Sequence, residues 1–412
     1  MFDKLNDDCW LTILKYVNLK DQVSLAHISK SLRSVVRYQW EHLRVAYLDQ
    51  ALLERFEQQP SEMEEFLQLA SSSLQNLTIK QTDIALLQKW RAYEFPKLVT
   101  LDCDLGFESE EETDEKVLLL TQLFPNLRQL TLLGNTTGRH IWAWDQLQEL
   151  NLLCCESLDT STFDQIFSAI PLRKLTLLYY GYNTNMGDDV LPISKCSTLE
   201  ELVMDDHHLL GDFMPNLLQL PRLRRLAFYT RDYYEYLLET VSKLRPLRVK
   251  ALLFHDAFWS SSCVSQVMMS MTNLRRLVLH DDDIETKELH KICATLPQLE
   301  ELHLTKMRAL PTATQLWDMV GASQSLKILN LSGNRLNRQF LDLSSECLDR
   351  VLKKRSLSSP LTLHLHNTLL KCDQTEILKK LKHPNLEVSF KPIDLNVWSS
   401  RFVEIEFNIP TD

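Results

Sequence analysis

Glycine is scarce in this chain: 8 of the 412 residues are glycine, about 2% against roughly 7% in an average protein. Phosphate-binding loops need glycines at fixed spacing, because only a residue without a Cβ lets the backbone come close to a phosphate. The motifs GxGxxG, GxxxxGK(S/T), HExxH, CxxC and GxSxG are all absent. We therefore expect no cofactor, no metal site and no catalytic residues.

Long apolar runs and basic blocks are also lacking. No stretch of 18 uncharged apolar residues occurs, so we expect no membrane-spanning helix. The first residues lack an apolar signal core, and the 9 cysteines are odd in number and unclustered. Both features favour reduced thiols in the cytoplasm or nucleus. A net charge of −10 without a long basic block makes nucleic acid a poor partner.

The chain does contain a repeated phrase: one apolar residue, two others, an apolar residue, one other and an apolar residue. It occurs twelve times between Leu74 and Phe390. Regular copies begin at Leu74, Leu127, Leu147, Leu172, Leu223, Leu274, Leu299 and Leu326, and looser ones begin at Leu98, Leu199 and Val249 or end at Leu363-Leu365. The first positions mostly recur every 20 to 29 residues, the period of a leucine-rich repeat. Such a unit cannot bury its apolar face alone, so neighbours must stack.

Each phrase predicts a short strand, and the residues that follow it return on the convex side. Helical returns are predicted around residues 164–167, 236–241, 264–271 and 289–294. The return after Leu127 should be poor in helix, because Trp142 and Trp144 stand where a helix would be. The predicted fold class is an α/β solenoid, a leucine-rich-repeat horseshoe with a parallel concave sheet and mostly helical convex returns.

One dense run of charge interrupts the repeats, and it is acidic. Seven carboxylates lie between Asp104 and Glu115. Because like charges repel one another, this pattern favours a solvated loop inserted between two repeats.

The first 40 residues break the repeat pattern and predict three short helices. Asn6 or Asp7 can cap the first helix and Asp21 the second, while the third runs from Ser29 to about Trp40. Three helices in so few residues bury too little surface to be robust alone. We therefore expect them to bind a partner or to dock onto the rest of the chain.

The same patterns divide the chain into four segments. Residues 1–40 form the helical trio, and residues 41–73 predict a helical connector that caps the first repeat. Residues 74–390 hold about twelve repeats, and residues 391–412 keep no repeat phase and predict a C-terminal cap or tail.

The stretch from Leu5 to Trp40 resembles the F-box. The matching pieces are Leu5, Ile13-Leu14-Lys15-Tyr16-Val17, Leu19-Lys20-Asp21-Gln22-Val23 and Ser29-Lys30-Ser31-Leu32-Arg33. Asn6 stands where the family usually has proline, and Leu32 about where its third-helix tryptophan often lies. Together with the repeats downstream, the stretch resembles the F-box/leucine-rich-repeat family.

This resemblance implies a non-catalytic subunit of an SCF-type cullin–RING ubiquitin ligase. The F-box would dock onto a Skp-type adaptor, and the repeats would present a protein substrate for ubiquitination and proteasomal degradation. The adaptor-binding residues that it implies are Leu5, Asn6, Trp10, Ile13, Leu14, Val17, Val23 and Leu32.

The repeats also predict a substrate-binding face. Strand side chains alternate, so the seventh residue of each phrase should face the concave surface. Three consecutive repeats carry leucine there, and exposed contiguous apolar surface usually marks a contact site. The predicted face comprises Leu133, Leu153, Leu178, Tyr179, Tyr229, His255 and His280. The alternative is that the leucines are covered by the chain's own C-terminal tail or by loops.

Two other functions stay open. The chain could be a repeat scaffold whose degenerate F-box binds no adaptor and has no ligase role. It could also be a GTPase-activating repeat protein, which would need an exposed catalytic loop on a more regular array. In every case we expect protein partners and neither nucleic acid nor membrane.

Overall fold

The chain divides after Leu199 into two units, Met1–Leu199 and Glu200–Asp412, and each is described by itself. The structure is a computed structural model. It describes residues 5–179, 191–205, 213–230, 234–256, 262–353, 355, 360–370, 373–396 and 401–408.

The first unit begins with the three predicted helices: α1 (Asp7–Leu14), α2 (Leu19–Ala26) and α3 (Lys30–Glu41). Each starts at a polar side chain that accepts a hydrogen bond from a backbone N–H three residues on, which satisfies a donor that the helix leaves free. These caps are Asn6, Asn18 and Ser29. The predicted cap Asp21 is wrong: it lies inside α2, where its N–H donates to Asn18 Oδ1 at 2.8 Å.

A buried glutamine joins the three helices to one another. The Gln22 side chain donates to the carbonyls of Leu14 at 3.0 Å and Val17 at 2.8 Å, at the end of α1. It also accepts from the Trp40 indole at 2.9 Å, on α3. Because every polar atom of this amide has a partner, its burial costs little and fixes how the helices meet.

The trio docks onto two further helices, α4 (Gln50–Gln58) and α5 (Pro60–Ala70). The Trp40 ring meets Phe66 edge-on at 5.4 Å between centroids. The buried Glu62 carboxylate accepts from Arg55 at 2.7 and 3.0 Å and lies 2.7 Å from His27. Glu65 pairs with Arg33 at 2.6 Å and also with Arg37. The trio is therefore held by the rest of the unit, as its small size predicted.

The first unit contains a parallel sheet in chain order, β1 to β6. Its strands are β1 (Val45–Leu48), β2 (Asn76–Ile79), β3 (Thr100–Gly106), β4 (Gln129–Gly134), β5 (Glu149–Leu153) and β6 (Lys174–Leu178). The second and third apolar residues of neighbouring phrases lie opposite each other, as Leu150 does with Leu175. Five of these strands were predicted. β1 was not, because it precedes the repeats and lies where helix was expected.

The returns of the first unit are α6 (Ile84–Trp90), α7 (Glu110–Leu123), α8 (Thr160–Ala169) and two 3-10 turns, Ile141–Ala143 and Ile193–Lys195. The return after Leu127 has only a 3-10 turn, as predicted. Trp144 takes the place of a helix: its ring is fully buried, and its indole donates to the Phe124 carbonyl at 2.8 Å.

The acidic run is not a loop throughout, contrary to the prediction. Asp104 lies in β3, and the three glutamates Glu110–Glu112 form the first turn of α7. Negative charge is favourable there because the N–H groups of a helix start carry partial positive charge. Asp114 is buried and accepts from the hydroxyls of Thr136 at 2.7 Å and Thr137 at 2.6 Å.

In the second unit the strands are β7 (Glu201–Asp205), β8 (Arg225–Tyr229), β9 (Val249–His255), β10 (Arg276–His280), β11 (Glu301–Thr305), β12 (Ile328–Asn330), β13 (Leu361–His364), β14 (Leu386–Ser389) and β15 (Phe402–Phe407). Its helices are α9 (Phe213–Leu218), α10 (Tyr234–Leu244), α11 (Ser262–Met269), α12 (Thr286–Thr295), α13 (Ala313–Ala322), α14 (Arg338–Leu352) and α15 (Gln374–Lys380). The predicted α/β class, helices followed by strand-and-return repeats, is confirmed.

The last strand, β15, departs from the repeat order. It lies between β8 and β9 and runs antiparallel to both. Val403, Ile405 and Phe407 are buried on the core side. On the other side Glu404 accepts from Arg225 at 2.7 Å through both carboxylate oxygens. β15 is therefore an antiparallel strand within the predicted parallel sheet, and residues 402–407 form a strand where a terminal cap or tail was predicted.

The segment that leads to β15 contacts the concave side of the second unit. Leu395 packs against Ala251, Leu253 and Val278, which face that side. Nearer β14, the Phe390 carbonyl lies 3.1 Å from His366 Nδ1. The chain's own C-terminal segment therefore covers part of the concave side of the second unit. The predicted alternative concerned other residues, Leu133, Leu153 and Leu178, which belong to the first unit.

Removing β15 tests its part in the sheet. Deletion of residues 401–412 should unpair the facing edges of β8 and β9 and remove apolar side chains worth about 1.5–3 kcal/mol each when buried. We expect a lower melting temperature and, by hydrogen exchange, loss of amide protection in β8 and β9.

Deletion of residues 409–412 alone is the matched control, since it leaves β15 intact. Unchanged protection in β8 and β9 after the longer deletion would show that the strand is dispensable.

Candidate functional site

The described residues offer no metal centre and no membrane helix. No three His, Cys, Asp or Glu side chains among them are grouped so that they could hold a metal ion. No helix within the same ranges is long and apolar enough to cross a bilayer. The residues considered next are those that the sequence predicted to contact an adaptor or a substrate.

The structure separates the residues predicted to bind an adaptor into two groups. Trp10, Leu14, Val23 and Leu32 are buried within the first unit. The others lie at the surface or close to it: Leu5 and Ile13 are exposed, Val17 is half-buried, and Asn6 is the exposed cap of α1. In this conformation the four buried side chains hold the helices together and do not face a partner.

The three predicted leucines do lie side by side. Leu133 is paired in register with Leu153, and Leu153 with Leu178, on the adjacent strands β4, β5 and β6. All three are half-buried. Strands are spaced about 4.8 Å apart, so they form a ridge roughly 10 Å long, called the leucine ridge below.

Polar residues flank the leucine ridge along the same strands. Two residues earlier on the same strands, the Asn151 side chain donates a hydrogen bond to the Thr131 hydroxyl at 3.1 Å. Tyr179 follows Leu178 directly, is 38% exposed and has a positive φ of 55°. An apolar centre with a polar border is the composition of many protein interfaces.

The other predicted contact residues belong to the second unit. The Tyr229 ring meets Phe402 of β15 with 5.7 Å between centroids, so part of its face is already covered. His255 and His280 lie on β9 and β10 with their rings perpendicular at 4.8 Å, and His280 Nδ1 is 2.7 Å from the Thr305 hydroxyl.

Both histidines are neutral at physiological pH. Burial lowers the pKa of His255 below its usual value. Burial, with added repulsion from His255 and Lys306, lowers the pKa of His280 to about 4. The pair therefore offers uncharged hydrogen-bonding groups rather than positive charge.

Comparison with known proteins concerns the N-terminal helices first. Residues 2–44 match the model of the F-box domain. The chain combines an F-box domain with leucine-rich repeats. This match confirms the resemblance to the F-box that was inferred from the sequence. The repeats lie outside the match and are seen in the structure as successive strands and returns.

Other comparisons add little. No curated protein matches the chain. The solved TLR13–ssRNA13 complex is similar at 12% identity and a TM-score of 0.32, covering 85% of this chain and 65% of the TLR13 chain, which is less than two thirds. A Bacteroides fragilis protein is similar at 13% identity and a TM-score of 0.29, covering 71% of this chain and 75% of its own. Neither likeness carries an argument about fold or function.

The F-box has exposed apolar side chains that the predicted set missed. Tyr16 is 88% exposed and Ile28 is 53% exposed, in addition to Leu5 and Ile13. The spacing of the buried residues in α2 could have indicated that Ile28 is exposed, because Ile28 follows this helix and does not continue its buried stripe. Large apolar side chains left in water suit a helix-packing contact with a partner.

Side chains after the strands tie neighbouring repeats together. Asn334 shows how: its amide donates to the carbonyls of Leu304 at 2.6 Å and Leu331 at 2.8 Å and accepts from the Met307 N–H at 2.8 Å. Asp282 occupies the same position two repeats earlier and is 2% exposed. Its Oδ1 accepts from the Asp283 N–H at 2.9 Å, whereas its Oδ2 has no hydrogen-bond partner among the residues that the structure describes.

Burial raises the pKa of Asp282 to about 7. An unfolded aspartate titrates near pH 4, so the folded state holds its proton over a range in which the unfolded state has lost it. The carboxyl therefore contributes stability that is complete below about pH 4 and is lost as pH rises through about 7.

Replacing Asp282 by asparagine tests this account. Asp282→Asn supplies an uncharged donor at every pH, as Asn334 does, so we expect stabilisation of up to about 2 kcal/mol at pH 8 and less at pH 5. Urea unfolding at the two pH values measures the difference. The matched control is Asp283→Asn on the exposed neighbour, and an equal gain in both variants or no pH dependence would contradict the account.

Proposed function

We propose that this chain is a substrate-recognition subunit of an SCF-type ubiquitin ligase, working in the cytoplasm or nucleus. Its F-box would bind a Skp-type adaptor, and its repeats would hold a protein substrate for ubiquitination and proteasomal degradation. The observation that carries the proposal is the F-box match at residues 2–44, immediately before the first strand of a leucine-rich-repeat sheet.

The junction between the F-box and the repeats supports this role. Such a receptor must hold the substrate at a fixed distance from the adaptor. Here α3 is attached to α5 by the pairs of Glu65 with Arg33 and Arg37 and by the contact of Trp40 with Phe66. Several such contacts on two neighbouring helices leave little freedom for hinge motion. In this role the chain binds and positions other proteins and needs no catalytic group of its own.

The adaptor contact is assigned to the exposed apolar residues of the F-box, Leu5, Ile13 and Ile28. Burying such side chains against a partner helix stabilises the complex by about 1.5–3 kcal/mol each. A charge in the same place would have to be desolvated without a partner.

Adaptor binding is tested with the single variants Ile13→Asp and Ile28→Asp. Each should weaken capture of a purified Skp-type adaptor by about tenfold or more while the melting temperature stays near that of the unmodified protein. Ser31→Asp, at an exposed polar position of α3, is the control with the same new charge. Absence of adaptor binding in the unmodified protein would favour the alternative, a repeat scaffold without a ligase role.

For the substrate, the leucine ridge of the first unit is the favoured contact. Leu133, Leu153 and Leu178 remain half-buried and in register. In the second unit, by contrast, Leu395 of the chain itself packs on the concave side. The assignment of Tyr229, His255 and His280 to substrate binding stays a prediction.

A double variant tests the leucine ridge. Substrates are recognised as captured proteins whose amount rises when cullin–RING ligases are inhibited. The double variant Leu153→Asp with Leu178→Asp should no longer capture them, because two charges would be buried against an apolar partner. Quantitative affinity proteomics measures this, and adaptor binding should be unchanged. Leu118→Asp with Leu378→Asp, at exposed helix positions, is the matched control, and capture that survives in the ridge variant would exclude this face.

A further inference from the structure

Several cations of the second unit gather at the amino-terminal edge of its strands. Arg222 lies just before β8, Arg245, Arg248 and Lys250 lie at the start of β9, and Arg275 lies just before β10. These five residues, called the basic edge below, come from three separate stretches of sequence.

Backbone hydrogen bonds bring the three stretches together. The Asn408 N–H donates to the Arg248 carbonyl at 2.7 Å, and the Phe407 N–H donates to the Arg224 carbonyl at 2.8 Å, so the end of β15 joins the first two stretches. The Arg275 N–H donates to the Lys250 carbonyl at 2.8 Å and joins the third. The starts of β9 and β10 are therefore one strand spacing apart, about 4.8 Å, whereas β8 lies about two spacings from β9 because β15 is between them.

Arg245 and Arg248 lie at the two ends of one 3-10 turn. The turn spans Pro246–Arg248, and the Arg248 N–H donates to the Arg245 carbonyl at 3.1 Å. Arg245 is the residue before this turn and Arg248 its last residue, and the Arg248 guanidinium donates to the Asn408 carbonyl at 3.3 and 3.4 Å. Burial, and then the charge of Arg248, lowers the pKa of Arg245, as expected for two neighbouring cations.

The cations of this edge form no direct ion pair within the described residues, although Lys250 acts electrostatically on the Glu301 carboxylate. Nearby cations do have acidic partners, as Arg224 has in Glu200 at 3.5 Å and Lys243 has in Glu239 at 3.4 Å. No ion pair joins any member of the basic edge to a carboxylate in that part of the chain. In a protein of net charge −10, five neighbouring cations without an ion pair among the described residues are a local exception.

Apolar side chains lie within the same segment. Leu244 is 51% exposed and Leu247 is 59% exposed, on either side of Arg245 and next to Arg248. The Leu247 carbonyl accepts from the Asn273 side chain at 2.7 Å, which fixes this turn beside the start of β10. The surface thus combines positive charge with two apolar contact points.

We propose that the basic edge, with Leu244 and Leu247, binds an acidic segment of a protein partner that also carries apolar side chains. Carboxylates would pair with the guanidinium groups, and apolar residues between them would cover the leucines. This inference rests on the proposed function, since it gives the chemistry of a substrate or partner that the repeats would hold.

The experiment uses the full chain and a fluorescent decamer of alternating glutamate and leucine, followed by anisotropy. We expect binding that weakens by about tenfold or more between 50 and 200 mM salt and in the variant Arg245→Glu with Arg248→Glu. The matched control is Lys287→Glu with Lys379→Glu, which makes the same charge change at exposed helix positions.

Further arms separate this proposal from others. Arg222→Glu with Arg275→Glu should also weaken binding, which guards against misfolding of the first variant. Deletion of residues 409–412 should not weaken binding, since it leaves the basic edge intact. Equal binding by the charge-reversed and unmodified proteins, or tighter binding of a decamer of lysine and leucine or of an oligouridine RNA, would overturn the proposal.

Adaptor capture is measured on the same variants. It should be normal in all of them, because residues 5–44 are unaltered. Loss of peptide binding together with normal adaptor binding supports the basic edge. Normal peptide binding without adaptor binding would refute the ligase role alone.

Discussion

The register of the leucine phrase is the constraint on which the repeats depend. The apolar residues of each phrase are buried, and those of neighbouring phrases lie opposite one another, as Leu130 does with Leu150. Side chains alternate along a strand, so a shift of one residue would move every leucine to the opposite face and expose the core. The leucine ridge follows from this constraint, because fixing the buried positions also fixes which residues face the concave side.

Local patterns were enough to predict much of the fold. The twelve phrases coincide with strands β2 to β13. Asn6, one of the two predicted caps of the first helix, begins α1, and the third helix begins after Ser29, where the third segment was predicted to start. Each of these features depends on residues close together in sequence. Asn18 and Asp21 show the limit, because both are good caps three residues apart and only the structure shows which one begins the helix.

Long-range features could not be read in the same way. The segment Phe402–Phe407 has no leucine phrase, and its pairing with β8 and β9 depends on residues about 150 to 180 positions earlier. The basic edge was missed because its cations are spread over residues 222–275 and become neighbours only through strand pairing. For the F-box, the resemblance identified the matching residues but did not separate the buried Leu14 from the exposed Ile13, which requires the packing of the helices.

The position of β15 also determines when the second unit can finish folding. Its neighbours β8 and β9 are synthesised about 150 to 180 residues before Phe402–Phe407. On the ribosome the facing edges of these two strands therefore lack their native partner until β15 has been made. An unpaired edge is a template for wrong pairing. The antiparallel strand thus makes the sheet of the second unit depend on the strand that is translated last among those it contains.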